Sequence, residues 1–166
     1  YTVVSENRLV KLPANIPKDI GVMFGCAVPT GAGLLFNEVK PTEGSSVAFF
    51  GLGGIGLCAL MSANSFQCSP VIAIDIVEEK LEMAKILGAT HTVNPLKTDP
   101  IEAIYKITNG KGIDISIEAA GNVETIETAF VRESSQVVPP RGGGGCGLYS
   151  NNGYALNQIM IPETNG

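Results

Sequence analysis

The sequence predicts a doubly wound α/β fold, in which helices cover both faces of a parallel β-sheet. Segments of strand and helix character alternate from residue 45 to about residue 130, and short turns join them. The strand segments are continuous apolar runs such as PVIAID, which is typical of strands that are buried on both faces. A length of 166 residues, 45% of them hydrophobic and 16% charged, is sufficient for one domain with its own core.

The first 36 residues predict an extended segment followed by a helix. Pro13 and Pro17 keep the backbone extended as far as Asp19, which is expected to cap the helix. Small and apolar residues from Ile20 to Phe36 predict that this helix is well buried, with Pro29 and the glycines interrupting it. We therefore predict an initial strand and linker over residues 1–18, and the α/β domain over residues 19–166.

Four strand–helix units are expected next. The predicted strands are SSVAFFG, PVIAID, THTVN and GIDISIEA, and the predicted helices that follow them are GGIGLCALMSANS, VEEKLEMAKILG, DPIEAIYKITNG and NVETIETAF. Residues 131–145 are polar and rich in proline and glycine, so a flexible loop is expected there. The segments CGLYS and ALNQIMIP predict a fifth and a sixth strand.

Composition argues against several classes of function. The net charge is −5, which disfavours nucleic acid as a partner. No apolar run reaches the ~20 residues of a membrane span, and the chain does not begin with a signal peptide, so no membrane partner is expected. The four cysteines form no CxxC pair, which excludes a redox dithiol and favours a reducing cytoplasm. Both ends look cut, so the chain is expected to be a fragment.

The segment GLGGIG indicates a site for a dinucleotide. Gly51 is expected to make a tight turn after the strand, Gly53 to allow close approach of a pyrophosphate, and Gly56 to bring the helix close to the sheet. The N-terminus of that helix would offer unpaired N–H groups to the phosphates. Glycines in a loop often mean only a turn, so the motif depends on its context.

Asp75 supplies that context, because it ends the second strand, 19 residues after Gly56. A carboxylate there accepts the ribose hydroxyls of the adenosine and repels a 2′-phosphate, so NAD is favoured over NADP. The alternative is that Asp75 caps the next helix. Lys80 could reach the same ribose, or it could be a solvated surface lysine.

Cys26, in the segment GCAVPTG, has two interpretations from the residues alone. A buried cysteine usually serves as a small apolar packing residue. A cysteine can also bind zinc, and a catalytic zinc holds three protein ligands and keeps one position for water or substrate.

Residues 1 to about 130 resemble the cofactor-binding half of the zinc-dependent alcohol dehydrogenases, in the medium-chain dehydrogenase/reductase superfamily. The resemblance is carried by YTVV, GCAVPTG, VKPTEGSSVAFFGLGGIGL, IAIDIVEEKLEMAKILGATHTVN and ITNGKGIDISIEAAGN. It implies a Rossmann fold, an alcohol or aldehyde substrate, zinc in the complete protein, and possible homodimers through the edge strand. It also implies that Cys26 is the third ligand of the catalytic zinc. The other two ligands would come from a missing catalytic domain, so no catalytic residue is expected in this chain, which would be inactive alone.

The resemblance further implies that Thr30 packs against the nicotinamide and that the turn of Ala119, Ala120 and Gly121 lines the cofactor cleft. The complete set of expected cofactor contacts is Thr30, Gly51, Leu52, Gly53, Gly54, Ile55, Gly56, Asp75, Ile76, Lys80, Ala119, Ala120 and Gly121. His91 is expected to be a structural or surface histidine, and Cys58 and Cys68 are expected to be packing residues.

Other functions remain open at this point. A zinc-free quinone or enoyl reductase of the same superfamily is one, although Cys26 and Asp75 count against it. An S-adenosylmethionine-dependent methyltransferase also has a glycine turn and an acid after its second strand. A third alternative is a nucleotide-binding module without catalysis.

Overall fold

The computed structural model describes residues 3, 5–129 and 136–138, and these contain a five-stranded parallel sheet. The strands lie in the order β3-β2-β1-β4-β5, and each neighbouring pair is parallel. Their bounds are Val47–Phe50 for β1, Val71–Ile74 for β2, His91–Val93 for β3, Ile115–Glu118 for β4 and Gln136–Val138 for β5. The predicted doubly wound fold is confirmed.

Six α-helices connect or precede the strands in the described part of the chain. They are α1 (Lys18–Gly21), α2 (Ala27–Gly33), α3 (Gly54–Ala63), α4 (Glu78–Ile86), α5 (Pro100–Ile107) and α6 (Val123–Ala129). Short 3₁₀ turns cover Glu6–Arg8, Val22–Gly25 and Asn64–Phe66, and a π-helical segment, Leu34–Val39, continues α2.

The sheet separates two apolar cores. Phe49 lies in the core formed with α3 and α4, which includes Leu60, whereas Phe50 lies in the core formed with α5, which includes Ile104. Successive residues of a strand point to opposite faces, and every residue of β1 is buried. A sheet that is covered on both faces therefore explains why its strands are continuous apolar runs.

Residues 131–145 do not all form the expected loop, because β5 pairs with β4 there. Gln136 lies opposite Ile115 and Val138 opposite Ile117. The two valines are strong strand formers, and β4 offers an open row of backbone groups, so ladder hydrogen bonds outweigh the polar composition of the segment. The strands predicted in CGLYS and ALNQIMIP lie outside the described residues.

The helix expected from Ile20 to Phe36 is divided, but the division does not fall at Pro29, where an interruption was predicted. The break falls at Cys26, whose backbone is non-helical (φ −146°, ψ −65°). Pro29 is the third residue of α2, a position where its missing N–H costs no intrahelical hydrogen bond. The cap of α1 is Pro17 rather than Asp19, which lies inside the first turn.

The expected burial of this segment is wrong in its first half. The side chains of Val22 and Phe24 are 71% and 58% exposed, and burial begins only at Gly31 and continues at Leu34 and Leu35. Small residues allow this second half to lie close to α3, since an added Cβ at Gly31 would meet the backbone of α3.

Among the described residues, no individual helix has the length and apolar character to cross a membrane. The bent pair Lys18–Gly25 and Ala27–Val39 meets these criteria only when the two parts are combined.

Candidate functional site: a cleft at the carboxyl ends of the strands

A cleft of about 430 Å³ lies beyond the carboxyl ends of β1, β2 and β4. The strand order reverses around β1, which is where ligands bind in open α/β sheets. Its lining comprises Gly51, Leu52, Gly53, Ile74, Asp75, Ile76, Val77, Lys80, Pro95, Ala119, Ala120, Asn122 and Thr125. The structure thus brings together the glycine turn, the acid after β2 and the turn after β4.

The glycines of the turn are required for different reasons. Gly51 has φ +88°, and an added Cβ would lie 2.5 Å from the backbone nitrogen of Ala120. Gly56 is buried, and an added Cβ would collide with the carbonyl oxygen of Gly51. Gly53 precedes α3, and no atom lies within 4 Å of where its Cβ would be. Gly51 and Gly56 are therefore required for close packing, whereas Gly53 borders open space at the start of a helix.

Asp75 joins the turn after β2 to the glycine turn. Its side chain is buried, its Oδ2 accepts a hydrogen bond from the Leu52 N–H (2.7 Å), and its Oδ1 accepts one from the Val77 N–H (2.9 Å). The cap position of α4 is held by Val77, without a side-chain cap bond. The helix-cap interpretation of Asp75 is therefore wrong.

Lys80 extends toward this acid. Its Nζ lies 3.6 Å from Oδ2 of Asp75, and its side chain is 44% exposed. The lysine thus lies at the rim of the cleft, where part of its side chain contacts solvent and its amine faces the Asp75 carboxylate. Because it is so exposed, the ion pair is worth little to stability.

Glu118 is a feature that the sequence prediction missed. This glutamate ends β4, and only 1% of it is exposed. Its Oε1 accepts hydrogen bonds from the N–H groups of Ala120 (2.9 Å) and Gly121 (2.8 Å) and from Oγ1 of Thr125 (3.1 Å). An acid that closes an apolar strand was the signal that identified Asp75, and ISIE carries the same signal.

Several predicted contacts lie beside the cleft rather than in its lining. Gly54, Ile55 and Gly56 belong to the first turn of α3, and Gly121 follows the lining residue Ala120 in the turn after β4. Thr30 lies in α2, where its N–H donates to the carbonyl of Cys26. Five lining residues were not predicted, namely Ile74, Val77, Pro95, Asn122 and Thr125.

Cys26 is exposed, at the junction that precedes α2. Within the described residues, no group of three or more His, Cys, Asp or Glu side chains could hold a metal ion. These residues therefore do not form a zinc site by themselves, because a catalytic zinc needs three protein ligands. Burial raises the pKa of the Cys58 and Cys68 thiols, as expected of packing residues.

His91 lies in the edge strand β3 and is exposed. One ring nitrogen, Nδ1, lies 2.9 Å from Oγ1 of Thr90, outside the cleft. His91 is therefore a surface residue, which is one of the two alternatives that the sequence left open.

The strand order, the glycine turn and the cleft define a Rossmann-type α/β domain. Residues 54–131 match the family model described as zinc-binding dehydrogenase. The chain is 42% identical over 131 residues to S-(hydroxymethyl)glutathione dehydrogenase of Synechocystis sp. and 41% identical over 132 residues to alcohol dehydrogenase 2 of Zea mays. Each alignment covers 78% of this chain but only 36% and 35%, respectively, of the relative.

A solved structure gives the same result for the fold. Benzyl alcohol dehydrogenase from Acinetobacter calcoaceticus superposes with a TM-score of 0.71 at 36% identity, covering 86% of this chain and 41% of that one. In sequence and in fold, this chain resembles the cofactor-binding region of the zinc-dependent alcohol dehydrogenases, and it spans about a third of the length of the curated relatives it matches. The predicted resemblance is confirmed, and the methyltransferase and zinc-free reductase alternatives are not favoured.

Proposed function

We propose that this chain is the NAD(H)-binding part of an alcohol dehydrogenase, which transfers hydride between an alcohol and NAD. The observation that carries the proposal is the buried carboxylate of Asp75, which faces the cleft beside the glycine turn. A carboxylate in this position is suited to two adjacent ribose hydroxyls. The reaction class is that of two relatives, alcohol dehydrogenase 2 of Zea mays and benzyl alcohol dehydrogenase of Acinetobacter calcoaceticus.

The adenosine half of the cofactor would lie between β2 and β4. Each carboxylate oxygen of Asp75 accepts one backbone N–H, and each has a further lone pair for a ribose hydroxyl. Ile76 lines the cleft and is 59% exposed, so it offers an apolar surface for the adenine. The pyrophosphate would occupy the open space at Gly53, where α3 directs its unpaired N–H groups.

The same acid favours NAD over NADP. A 2′-phosphate would bring its negative charges against the Asp75 carboxylate. Lys80 is the one cationic side chain that lines the cleft in the described residues, and its amine already faces that carboxylate. Selectivity for NAD therefore follows from charge repulsion at Asp75, since Lys80 is already paired with that carboxylate and no second cationic side chain lines the cleft in the described residues.

Zinc and the alcohol would be held in the complete protein. Cys26 is exposed, and the apolar side chains of Val22, Met23 and Phe24 before it are exposed as well. We infer that a catalytic domain outside this chain covers this surface and supplies the other zinc ligands, so that Cys26 becomes one of three. Bound there, zinc would polarise the alcohol oxygen. The chain alone would then bind cofactor without turning over alcohol or aldehyde; a homodimer and a cytoplasmic location also stay predictions.

The test is a fluorescence titration of the 166-residue chain with NADH and with NADPH. We expect NADH to bind at least about tenfold more tightly, which corresponds to one charge-assisted interaction. Asp75→Asn should weaken NADH binding by about tenfold and reduce the preference over NADPH. Asp99→Asn is the matched control, because Asp99 makes the same kind of backbone N–H contacts at the cap of α5, outside the cleft.

Two outcomes would overturn the proposal. Equal affinity for NADH and NADPH in the wild type would refute the role of Asp75 in selectivity. Saturable binding of S-adenosylmethionine, with no binding of either dinucleotide, would assign the cleft to a different cofactor.

A further inference from the structure

The turn after β4 is held by a single buried oxygen atom. Oε1 of Glu118 accepts from three donors: the N–H groups of Ala120 and Gly121 and the hydroxyl of Thr125. The other oxygen, Oε2, is buried and has no hydrogen-bond partner in the described part of the chain. The contacts of this side chain are therefore concentrated on the backbone of the turn.

This turn is in close contact with the glycine turn. Ala120 lies so near Gly51 that a Cβ added to Gly51 would be 2.5 Å from the Ala120 nitrogen. Gly121 has φ +76°, a left-handed conformation that the two N–H bonds to Glu118 help to hold. A shift of Ala120 would therefore change the space at the floor of the cleft.

Glu118 also reaches the wall of the cleft through Thr125. The Thr125 hydroxyl lies 3.1 Å from Oε1 of Glu118 and 3.0 Å from both Oδ1 and the backbone carbonyl oxygen of Asn122, so its single proton is shared among these three acceptors. The Thr125 N–H donates to the same Oδ1 (2.8 Å), which fixes the orientation of the Asn122 amide. Both Asn122 and Thr125 line the cleft.

We propose that Glu118 is a positioning residue for the cofactor, and that it acts through the reach of its Oε1 acceptor rather than through its charge. It holds the turn of residues 119–121, and contacts Thr125 beside it, in the arrangement that receives the dinucleotide. This proposal rests on the proposed function, since it concerns the same cleft.

Two conservative variants distinguish the effect of the length of the Glu118 side chain from the effect of its charge. Glu118→Gln keeps an oxygen at the Oε1 position and replaces the unpartnered oxygen with an amide nitrogen. Glu118→Asp keeps the carboxylate but withdraws it by one methylene. Ile117→Val is the control, because it removes one methylene from the same strand on the opposite face of the sheet.

We expect the dissociation constant for NADH to stay within about threefold of wild type in Glu118→Gln and Ile117→Val, and to rise at least about tenfold in Glu118→Asp. Hydrogen exchange at the amides of Ala120 and Gly121 should accelerate by about tenfold or more in Glu118→Asp alone, because those amides lose their acceptor. Affinity in Glu118→Gln as weak as in Glu118→Asp would overturn the proposal in favour of charge. Wild-type affinity in Glu118→Asp would overturn it outright.

The exchange measurement separates this proposal from the proposed function. If the wild-type chain bound neither NADH nor NADPH, the proposed function would fail. The exchange rates of the Ala120 and Gly121 amides would still show whether Glu118 holds the turn. Unchanged exchange in Glu118→Asp would show that Glu118 does not hold the turn, whatever the cleft binds.

Discussion

The cleft and the segment Val22–Cys26 differ in how completely the chain satisfies its own side chains. Asp75, which lines the cleft, and Glu118, which holds the turn that lines it, are 8% and 1% exposed, and backbone N–H groups of the same chain bind both. In the segment, Phe24 is 58% exposed and the Cys26 thiol is exposed too. The difference teaches that the acids at the cleft find their partners within this chain, whereas the segment has the composition of a contact surface.

The largest expected effect contrasts a core residue with a residue of the segment. Leu60→Ala should lower the free energy of unfolding by about 2–5 kcal/mol, because Leu60 is fully buried in α3 and its loss leaves a cavity. Phe24→Ser should change it by less than about 0.5 kcal/mol, because Phe24 covers little of this chain's own surface. Urea unfolding of both variants measures the two values.

The comparison would be contradicted if Phe24→Ser lowered the free energy of unfolding as much as Leu60→Ala does. That result would mean that Phe24 stabilises this chain itself and that its exposed face is not reserved for another domain. A difference of the expected size supports a surface that is covered only in the complete protein.

The second prediction compares two glycines of one turn. Gly56→Ala should lower the free energy of unfolding by about 1–3 kcal/mol, because its methyl group meets the carbonyl oxygen of Gly51, which cannot move away easily. Gly53→Ala should leave stability within about 0.5 kcal/mol but weaken NADH binding, because its methyl group enters open space that the pyrophosphate would occupy. Thermal unfolding and NADH titration of both variants separate packing from binding, and equal stability of the two would contradict this division.

The glycine turn shows which parts of the fold were readable from sequence. Strand, glycines, helix and acid follow one another in order, and each is a local signal with a mechanical cause, so β1, α3, β2 and α4 all form where predicted. The strand β5 was missed because its reason to form is the open edge of β4, which lies 21 residues earlier in register. Pairing between distant segments leaves little local trace.

The candidate site, like the fold, was predictable from the sequence only where a local motif marks its residues. Asp75 was identified because a known cofactor motif places an acid there, whereas Glu118, which also ends an apolar strand, is not part of that cofactor motif although it is the more buried of the two. Asn122 and Thr125 reach the cleft because the turn after β4 folds toward β1, and their own polar segment gives no sign of this. The exposed face of Val22–Cys26 was predicted as buried, since apolar composition does not tell whether the covering surface belongs to the same chain.

The third prediction uses the cysteines as probes of the two regions. Cys26 should react with iodoacetamide at least about tenfold faster than Cys68, because Cys26 is exposed, while burial of Cys68 raises its pKa and shields its sulfur. Cys58, half-buried and with its pKa also raised by burial, should be intermediate. Peptide mapping by mass spectrometry over time gives the three rates. Comparable rates at Cys26 and Cys68 would show that the core around α3 opens as readily as the segment.

The smallest expected effect compares an exposed acid, Glu78, with the buried acids Asp75 and Glu118. The pKa of Glu78 is lowered by a hydrogen bond from Lys97 (2.6 Å), then by one from Asn94 (2.6 Å). Because the folded pKa lies below the ordinary glutamate value, this contact stabilises the fold fully above that value, and the contribution is lost as the pH falls through the lowered pKa. Lys97→Met should therefore raise the Glu78 pKa in an NMR titration. Lys85→Met, which removes only a weaker and more distant charge, should raise it less. A larger shift in Lys85→Met would show that the field of α4, rather than the hydrogen bond, sets this pKa.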